Sequence, residues 1–123
     1  MNILLIAIGG AVGSVCRYLL SSAVLRTAGT LFPLGTFVVN IVGCALFGVV
    51  AGATQERFSL APEARALLLA GVLGGFTTFS SYMNESFVLV REGQFLWAAL
   101  NLAGQVVVGF VTFWLGFSIA SLR

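Results

Sequence analysis

Four long stretches of apolar residues, separated by short polar connections, fill almost the whole of this 123-residue chain. The pattern predicts membrane-spanning helices over about residues 2–25, 35–54, 64–90 and 94–121. Each stretch has roughly the 20 apolar residues that cross the hydrocarbon core of a bilayer. We therefore expect one all-α transmembrane domain over residues 1–123, with no separate soluble domain.

Composition strengthens the membrane interpretation. Hydrophobic residues make up 59% of the chain and charged residues 8%, whereas about a quarter of an ordinary soluble domain is charged. The first apolar stretch is not typical of a signal peptide, because no basic residue precedes it and Arg17 interrupts it. We expect this stretch to be kept as the first span.

Residue types that enzymes commonly use are missing. The chain contains no His, Asp or Lys, which removes the usual general base, transition-metal ligand and Schiff-base amine together. Cys16 and Cys44 both lie in apolar segments, where cysteine serves as a small packing residue. Enzyme activity and a disulfide framework are therefore not expected.

The orientation of the spans is weakly encoded. Arg57, Arg65 and Arg123 are expected on the side of the N-terminus, and Arg26 and Arg91 on the other side. Lysine and arginine usually concentrate on the cytoplasmic side, and this distribution shows almost no bias. Either another factor orients the chain, or the chain inserts both ways up and pairs with an inverted copy. Both explanations stay open on charge alone.

Small residues recur at four-residue intervals in the first two spans and predict close helix packing. They are Gly9 and Gly13, followed by Arg17, and then Cys44, Gly48 and Gly52. Arg17 is costly within a bilayer unless it faces protein or water, or reaches the interface. We favour an inward or interfacial structural role for Arg17 over direct contact with a transported ion.

Asn40 is the polar residue of the otherwise apolar second span. Its amide has two N–H donors and one acceptor, so it needs partners in lipid. One interpretation is an interhelical hydrogen bond, which is the commoner use of such residues. The other is a donor that replaces water around a permeating anion.

The third span contains a segment that weakens a helix, because two glycines precede two β-branched threonines. A broken helix at membrane depth must be buried in protein or line a cavity, where freed carbonyls can bind a hard cation. Glu85 follows within a turn or two, and an intramembrane carboxylate is a functional candidate. We therefore favour a functional break over a simple kink. The segment is Gly74-Gly75-Phe76-Thr77-Thr78-Phe79-Ser80-Ser81-Tyr82.

Aromatic side chains in the third span and polar side chains in the fourth are further candidates for an ion path. Phe79 and Tyr82 are three residues apart and share a helix face, and the positive edges of aromatic rings can attract an anion weakly. Packing is the commoner use of such a pair. The fourth span carries a narrow polar stripe of Asn101 and Gln105, with Gly109 and Thr112 beyond it.

Taken together, these segments resemble the Fluc (CrcB-like) family of fluoride channels over essentially the whole chain. The block from Gly74 to Ser80 is the most specific part of the resemblance. The other matching residues are Gly9-Gly10-Ala11-Val12-Gly13, Arg17-Tyr18, Gly35-Thr36, Asn40 and Gly43.

The resemblance implies a dual-topology homodimer in the cell inner membrane. Two antiparallel pores would export fluoride passively and give fluoride resistance. It also implies a structural sodium ion at the dimer centre, held by backbone carbonyls that match Gly74 and Thr77. The lack of charge bias would then have a reason.

The resemblance also implies roles for individual side chains. Tyr82 stands where the family usually has a second phenylalanine, and Gly109 where it often has a hydroxyl residue. Arg17 and Glu85 match structural or access positions. The residues implied to line the fluoride path are Asn40, Phe79, Ser80, Tyr82, Asn101, Gln105 and Thr112.

Two other classes of protein share part of this pattern. A small proton-coupled multidrug exporter also has four short spans, but it needs a membrane carboxylate for proton exchange. The first span has no acid, and Glu85 lies toward the end of the third. In a non-transporting scaffold subunit the polar residues would only join helices, which leaves the glycine-threonine segment without a purpose.

Overall fold

The computed structural model describes residues 1–56 and 59–122, without the side chains of residues 55 and 56. Within these residues all regular structure is helical, and four helical stretches are long and apolar enough to cross a membrane. The predicted all-α membrane fold with four spans is therefore confirmed. Arg57 and Arg123, which entered the charge count, lie outside the described residues. Spans one to four are Asn2–Ala28, Leu34–Thr54, Pro62–Arg91 and Phe95–Ser121.

Spans one and two are continuous helices, α1 (Asn2–Ala28) and α2 (Leu34–Glu56). α1 ends at Gly29, whose φ of 53° is in the left-handed region that glycine adopts without strain. Arg26 in the last turn complements the negative end of the helix dipole. Short connections follow, so consecutive spans return across the membrane.

Span three is interrupted. It begins as α3 (Pro62–Arg65), continues with π-helical hydrogen bonding over Ala66–Leu73, and ends its first half as α4 (Gly74–Phe76). The second half is α5 (Phe79–Arg91). A turn then leads to α6 (Phe95–Ser121), which forms span four.

The interruption lies at Thr77 and Thr78 rather than at the two glycines. Thr77 has φ −78° and ψ 156°, and Thr78 has φ −148° and ψ 116°, so both are extended. β-Branched residues favour this region of backbone space. Gly74 and Gly75 stay helical, and Gly75 packs directly on the backbone of Gly10 in α1.

Two helix pairs provide most of the packing, and both use glycine. α1 packs on the first half of span three, where a Cβ at Gly13 would overlap the carbonyl oxygen of Val72. α2 packs on α6, where a Cβ at Gly48 would overlap the carbonyl oxygen of Phe113. Because lipid provides no hydrophobic force between helices, this close backbone approach is what binds them. The glycine faces predicted in spans one and two lie in these contacts.

Polar side chains lie in the interior beside apolar ones, while many large apolar side chains face outward. Large apolar side chains such as Phe110 and Ile119 are exposed, as expected where lipid is the solvent. The polar side chains that are buried among the described residues are Thr36, Ser86, Asn101 and Gln105. Polar groups within a membrane protein usually bond between helices or mark a functional pathway.

Candidate functional site

The break in span three is held open by side chains. Thr78 caps the start of α5, because its Oγ1 accepts a hydrogen bond from the Ser81 backbone N–H at 3.3 Å. In an unbroken helix that N–H would bond the Thr77 carbonyl. The Thr78 N–H, which would bond the Gly74 carbonyl, instead donates to Asn40 Oδ1 at 2.8 Å. The carbonyls of Gly74 and Thr77 are thereby released from their usual helical donors.

Asn40 joins the break to the neighbouring helices. Besides accepting from the Thr78 N–H, it donates through Nδ2 to the Thr78 carbonyl at 3.0 Å and to Gln105 Oε1 at 2.7 Å. Both amide hydrogens are therefore used within the chain. The geometry supports the interhelical interpretation of Asn40, whose side chain hydrogen-bonds both the N–H and the carbonyl of Thr78.

A chain of hydrogen bonds continues from Asn40 through the interior. Gln105 Nε2 donates to Asn101 Oδ1 at 2.9 Å, and Asn101 Nδ2 donates to Ser86 Oγ at 2.9 Å. Ser86 Oγ then donates to the Tyr82 carbonyl at 2.8 Å. Asn101 is fully buried and Gln105 is 8% exposed. The stripe on α6 thus ties α2 and the break to α5.

A cavity of about 430 Å³ lies beside this chain. Phe79 and Tyr82 form one wall, with ring centroids 5.5 Å apart at an angle of 61°. Phe79 is 72% exposed in the single chain, so its ring is presented outward rather than packed. The residues lining the cavity are Asn40, Cys44, Phe47, Thr77, Thr78, Phe79, Tyr82, Gln105, Val106 and Phe113.

Tyr82 uses its phenol to hold α5 against α6. Its ring is 5% exposed, and its OH donates to the Leu102 carbonyl at 2.7 Å. The phenol proton is therefore used in a hydrogen bond within the fold, and the ring is fixed in an edge-to-face contact with Phe79. The extra hydroxyl relative to phenylalanine works here as an anchor.

We expect Tyr82→Phe to lower the free energy of unfolding by about 1 kcal/mol, the usual value of one hydrogen bond. Fluoride efflux from liposomes should change by less than about twofold, because the aromatic edge is retained. Thermal unfolding in detergent and an efflux assay measure the two effects. Tyr18→Phe, on an exposed tyrosine of α1, is the matched control. A large change in efflux with unchanged stability would show that the phenol contacts the ion.

Three of the predicted path residues do not line the cavity. Asn101 is fully buried within the chain of hydrogen bonds. Ser80 is exposed at the start of α5. Thr112 donates back to the carbonyls of Val108 and Gly109 in its own helix, at 2.9 and 3.1 Å. Their roles in conduction stay predictions.

The carbonyls of Gly74 and Thr77 are suited to a hard cation. Backbone carbonyl oxygens are ligands that sodium and calcium accept, and the break has removed their helical partners. The described residues contain no cluster of three or more His, Cys, Asp or Glu side chains that would hold a metal instead. One competitor is present, because Arg17 Nη1 lies 3.5 Å from the Thr77 carbonyl oxygen.

Arg17 and Glu85 line a second cavity, of about 480 Å³, on the other side of the break. Thr36 Oγ1 donates to Glu85 Oε1 at 2.6 Å, whereas Glu85 Oε2 is buried without a hydrogen-bond partner among the described residues. The remaining polar lining consists mainly of hydroxyls, from Ser14, Tyr18, Ser21, Ser22, Thr36, Thr78 and Ser81. Both charged residues are therefore close to the break.

Sequence reasoning did not assign several residues that the site uses. Thr78 caps α5, Ser86 ends the amide chain, Thr36 holds Glu85, and Cys44 lines the cavity beside the amide chain. Spacing offered a signal for two of them. Ser86 follows Tyr82 by four residues and Cys44 follows Asn40 by four, so each shares a helix face with a predicted site residue.

The sequence profile of the family described as "CrcB-like protein, Camphor Resistance (CrcB)" matches residues 4–117. The chain is 53% identical to the "Fluoride-specific ion channel FluC" of Maridesulfovibrio salexigens over 107 residues, which cover 87% of this chain and 85% of the relative. It is 47% identical to the protein of the same name from Nitratidesulfovibrio vulgaris strain Miyazaki F over 115 residues, covering 94% and 93%. The corresponding protein of Methylobacillus flagellatus is 45% identical over 122 residues, covering 98% and 95%. The name of these relatives is that of a channel, which agrees with the prediction that the chain is not an enzyme.

Proposed function

The chain belongs to the family of CrcB-like proteins, and on this premise we propose that it is a fluoride-selective ion channel. It exports fluoride passively from the cytoplasm across the cell inner membrane and so gives fluoride resistance. The observation that carries the proposal is the cavity at the break of span three, where an outward-facing aromatic ring meets buried amides. The choice of fluoride as the ion rests on the relatives that are named fluoride-specific channels.

The path needs no fixed positive charge. Fluoride gives up water only where hydrogen-bond donors or positive ring edges replace it, and loose contacts let it leave again. Phe79 and Tyr82 provide the ring edges, Asn40 and Gln105 form the polar wall, and Asn101 supports Gln105 through a hydrogen bond. Ser80 and Thr112 extend the path beyond the cavity in the assembled channel. An inside-negative membrane potential drives the anion outward.

The working unit is a homodimer of two copies in opposite orientations, with two antiparallel pores. The even distribution of arginine is what a chain that inserts both ways up requires. Phe79 and Gly74 are exposed in the single chain, although both lie at the break, at membrane depth. A second copy would cover these surfaces and close the open side of the cavity.

A sodium ion at the dimer centre fits the released carbonyls of Gly74 and Thr77. When bound, the ion supplies positive charge that holds the two breaks together. Each copy would contribute two carbonyl oxygens. Asn40 releases the Gly74 carbonyl by accepting from the Thr78 N–H, and Thr78 Oγ1 releases the Thr77 carbonyl by accepting from the Ser81 N–H. Arg17 lies beside the Thr77 carbonyl and has a structural role, while Glu85, bonded by Thr36, lines the second cavity.

The proton-coupled exporter is less well supported. Such a carrier needs a carboxylate exposed to substrate, and Glu85 is engaged by Thr36 on one oxygen and enclosed on the other. No acidic residue lies in span one. A scaffold function gives no reason for the cavity or its aromatic wall.

The experiment is efflux from liposomes that contain the purified protein and potassium fluoride, triggered with valinomycin and followed with a fluoride electrode. We expect fast fluoride efflux and little chloride efflux from matched chloride-loaded vesicles. Protein-free vesicles give the background. No fluoride efflux from folded protein would contradict the proposal and reopen the exporter and scaffold alternatives.

A further inference from the structure

The polar stripe on α6 has a gap that a residue of α2 fills. Asn101, Gln105 and Gly109 follow one another at four-residue intervals and are all buried, but Gly109 has no side chain. A Cβ built at Gly109 would lie 3.3 Å from Cys44 Sγ. The thiol therefore lies against the place where a side chain on residue 109 would begin, in the same cavity as Gln105.

Most polar hydrogens around the cavity are already used. Asn40 donates both of its amide hydrogens, and the Tyr82 phenol donates to Leu102. The hydroxyls of Thr77 and Thr78 donate to the Leu73 carbonyl and to Ser81 Oγ, each at 3.0 Å. These groups can meet an anion only after breaking a bond within the protein.

Two side-chain donors on the cavity wall have a hydrogen without a partner among the described residues. Gln105 Nε2 carries two hydrogens, and among the described residues only Asn101 accepts one of them. Gln105 is 8% exposed and lines the cavity, so its second N–H is a buried donor without a partner. The Cys44 thiol also lines the cavity and has no hydrogen-bond partner in the described part of the chain.

Resting on the proposed fluoride channel, we propose that Cys44 is a path-lining residue. Its S–H and the free N–H of Gln105 form the donor pair that contacts the permeating anion, and the thiol replaces the side chain missing at Gly109. An S–H is a weak donor. A strong donor beside a weak one holds the ion long enough to dehydrate it without trapping it.

The test compares fluoride efflux of Cys44→Ala, Cys44→Ser and the double variant Cys44→Ala with Gly109→Ser. Cys44→Ala should slow efflux by about fivefold, because one weak hydrogen bond to a charged species is lost. Cys44→Ser keeps a donor and should stay within about twofold of the parent. In the double variant alanine makes room at residue 44, and the new hydroxyl at residue 109 should restore most of the rate.

Cys16→Ala is the matched control, since this exposed cysteine of α1 lies away from the cavity and should not affect efflux. In that background, methyl methanethiosulfonate should block efflux, and adding Cys44→Ser should abolish the block. Gel filtration and thermal unfolding check that every variant is folded.

Unchanged efflux in Cys44→Ala, or efflux in Cys44→Ser as slow as in Cys44→Ala, would overturn the role of the thiol while the fluoride channel stands. A double variant no faster than Cys44→Ala would overturn the link between the two residues. Absence of fluoride efflux from the folded parent protein would instead overturn the proposed function, and the inference with it.

Discussion

Replacing Asn40 by alanine is expected to reduce fluoride efflux by about 100-fold, because the break in span three loses the side chain that satisfies it. Asn40 accepts from the Thr78 N–H and donates to the Thr78 carbonyl and to Gln105. Alanine leaves all three groups without these partners at membrane depth, where each unsatisfied group costs about 1–3 kcal/mol. The extended backbone at Thr78 should then rearrange, and Phe79, the next residue, should shift with it.

The variant is measured by efflux and by thermal unfolding in detergent. Asn84→Ala is the matched control, since Asn84 is an exposed asparagine of α5. We expect Asn84→Ala to match the parent protein in both measurements and Asn40→Ala to be less stable as well as slow. Rapid efflux from Asn40→Ala would mean that the break does not depend on this amide.

Replacing Phe79 by isoleucine is expected to slow fluoride efflux by about tenfold or more with little change in stability, because the positive ring edge is lost. Phe79 is 72% exposed in the single chain, so the substitution leaves almost no cavity in the packed interior. Isoleucine preserves apolar character but has no quadrupole. The same efflux assay measures the effect, with chloride as the second ion.

Phe110→Ile controls for the loss of an aromatic side chain. Phe110 is 73% exposed on α6 and does not line the cavity, so its replacement should leave efflux unchanged. Equal efflux from Phe79→Ile and Phe110→Ile would contradict an ion path along the aromatic wall. A fall in stability with Phe79→Ile would point to packing as the role of the ring.

Much of the fold could be predicted from hydropathy, because the bilayer demands about 20 apolar residues per span and internal bonding of every backbone group. The same demand made the glycine-threonine segment a candidate functional site, since the backbone groups freed by a break there need partners in protein or a cavity. Thr77 and Thr78 provide the break, and Asn40 provides the compensation. These residues were recognisable because polar or helix-weakening side chains are costly in lipid.

The partners of these side chains were not predictable. Asn40 and Thr78 are far apart in sequence, and whether an amide serves the backbone or an ion depends on how α2 meets the break. The Tyr82 phenol likewise donates a hydrogen bond to a backbone carbonyl of α6, and the periodicity of α5 cannot reveal this partner. Which residues of the predicted segment leave the helix was also not predictable. The break falls at Thr77 and Thr78, whereas Gly75 packs on α1 and stays helical.

The most direct measurement of the central claim is the reversal potential of the reconstituted protein in a planar bilayer, with sodium fluoride on one side and an equal concentration of sodium chloride on the other. A channel that selects fluoride should carry current that reverses far from zero, with the sign set by fluoride moving to the chloride side. Current that reverses near zero, or no current from folded protein, would contradict the account.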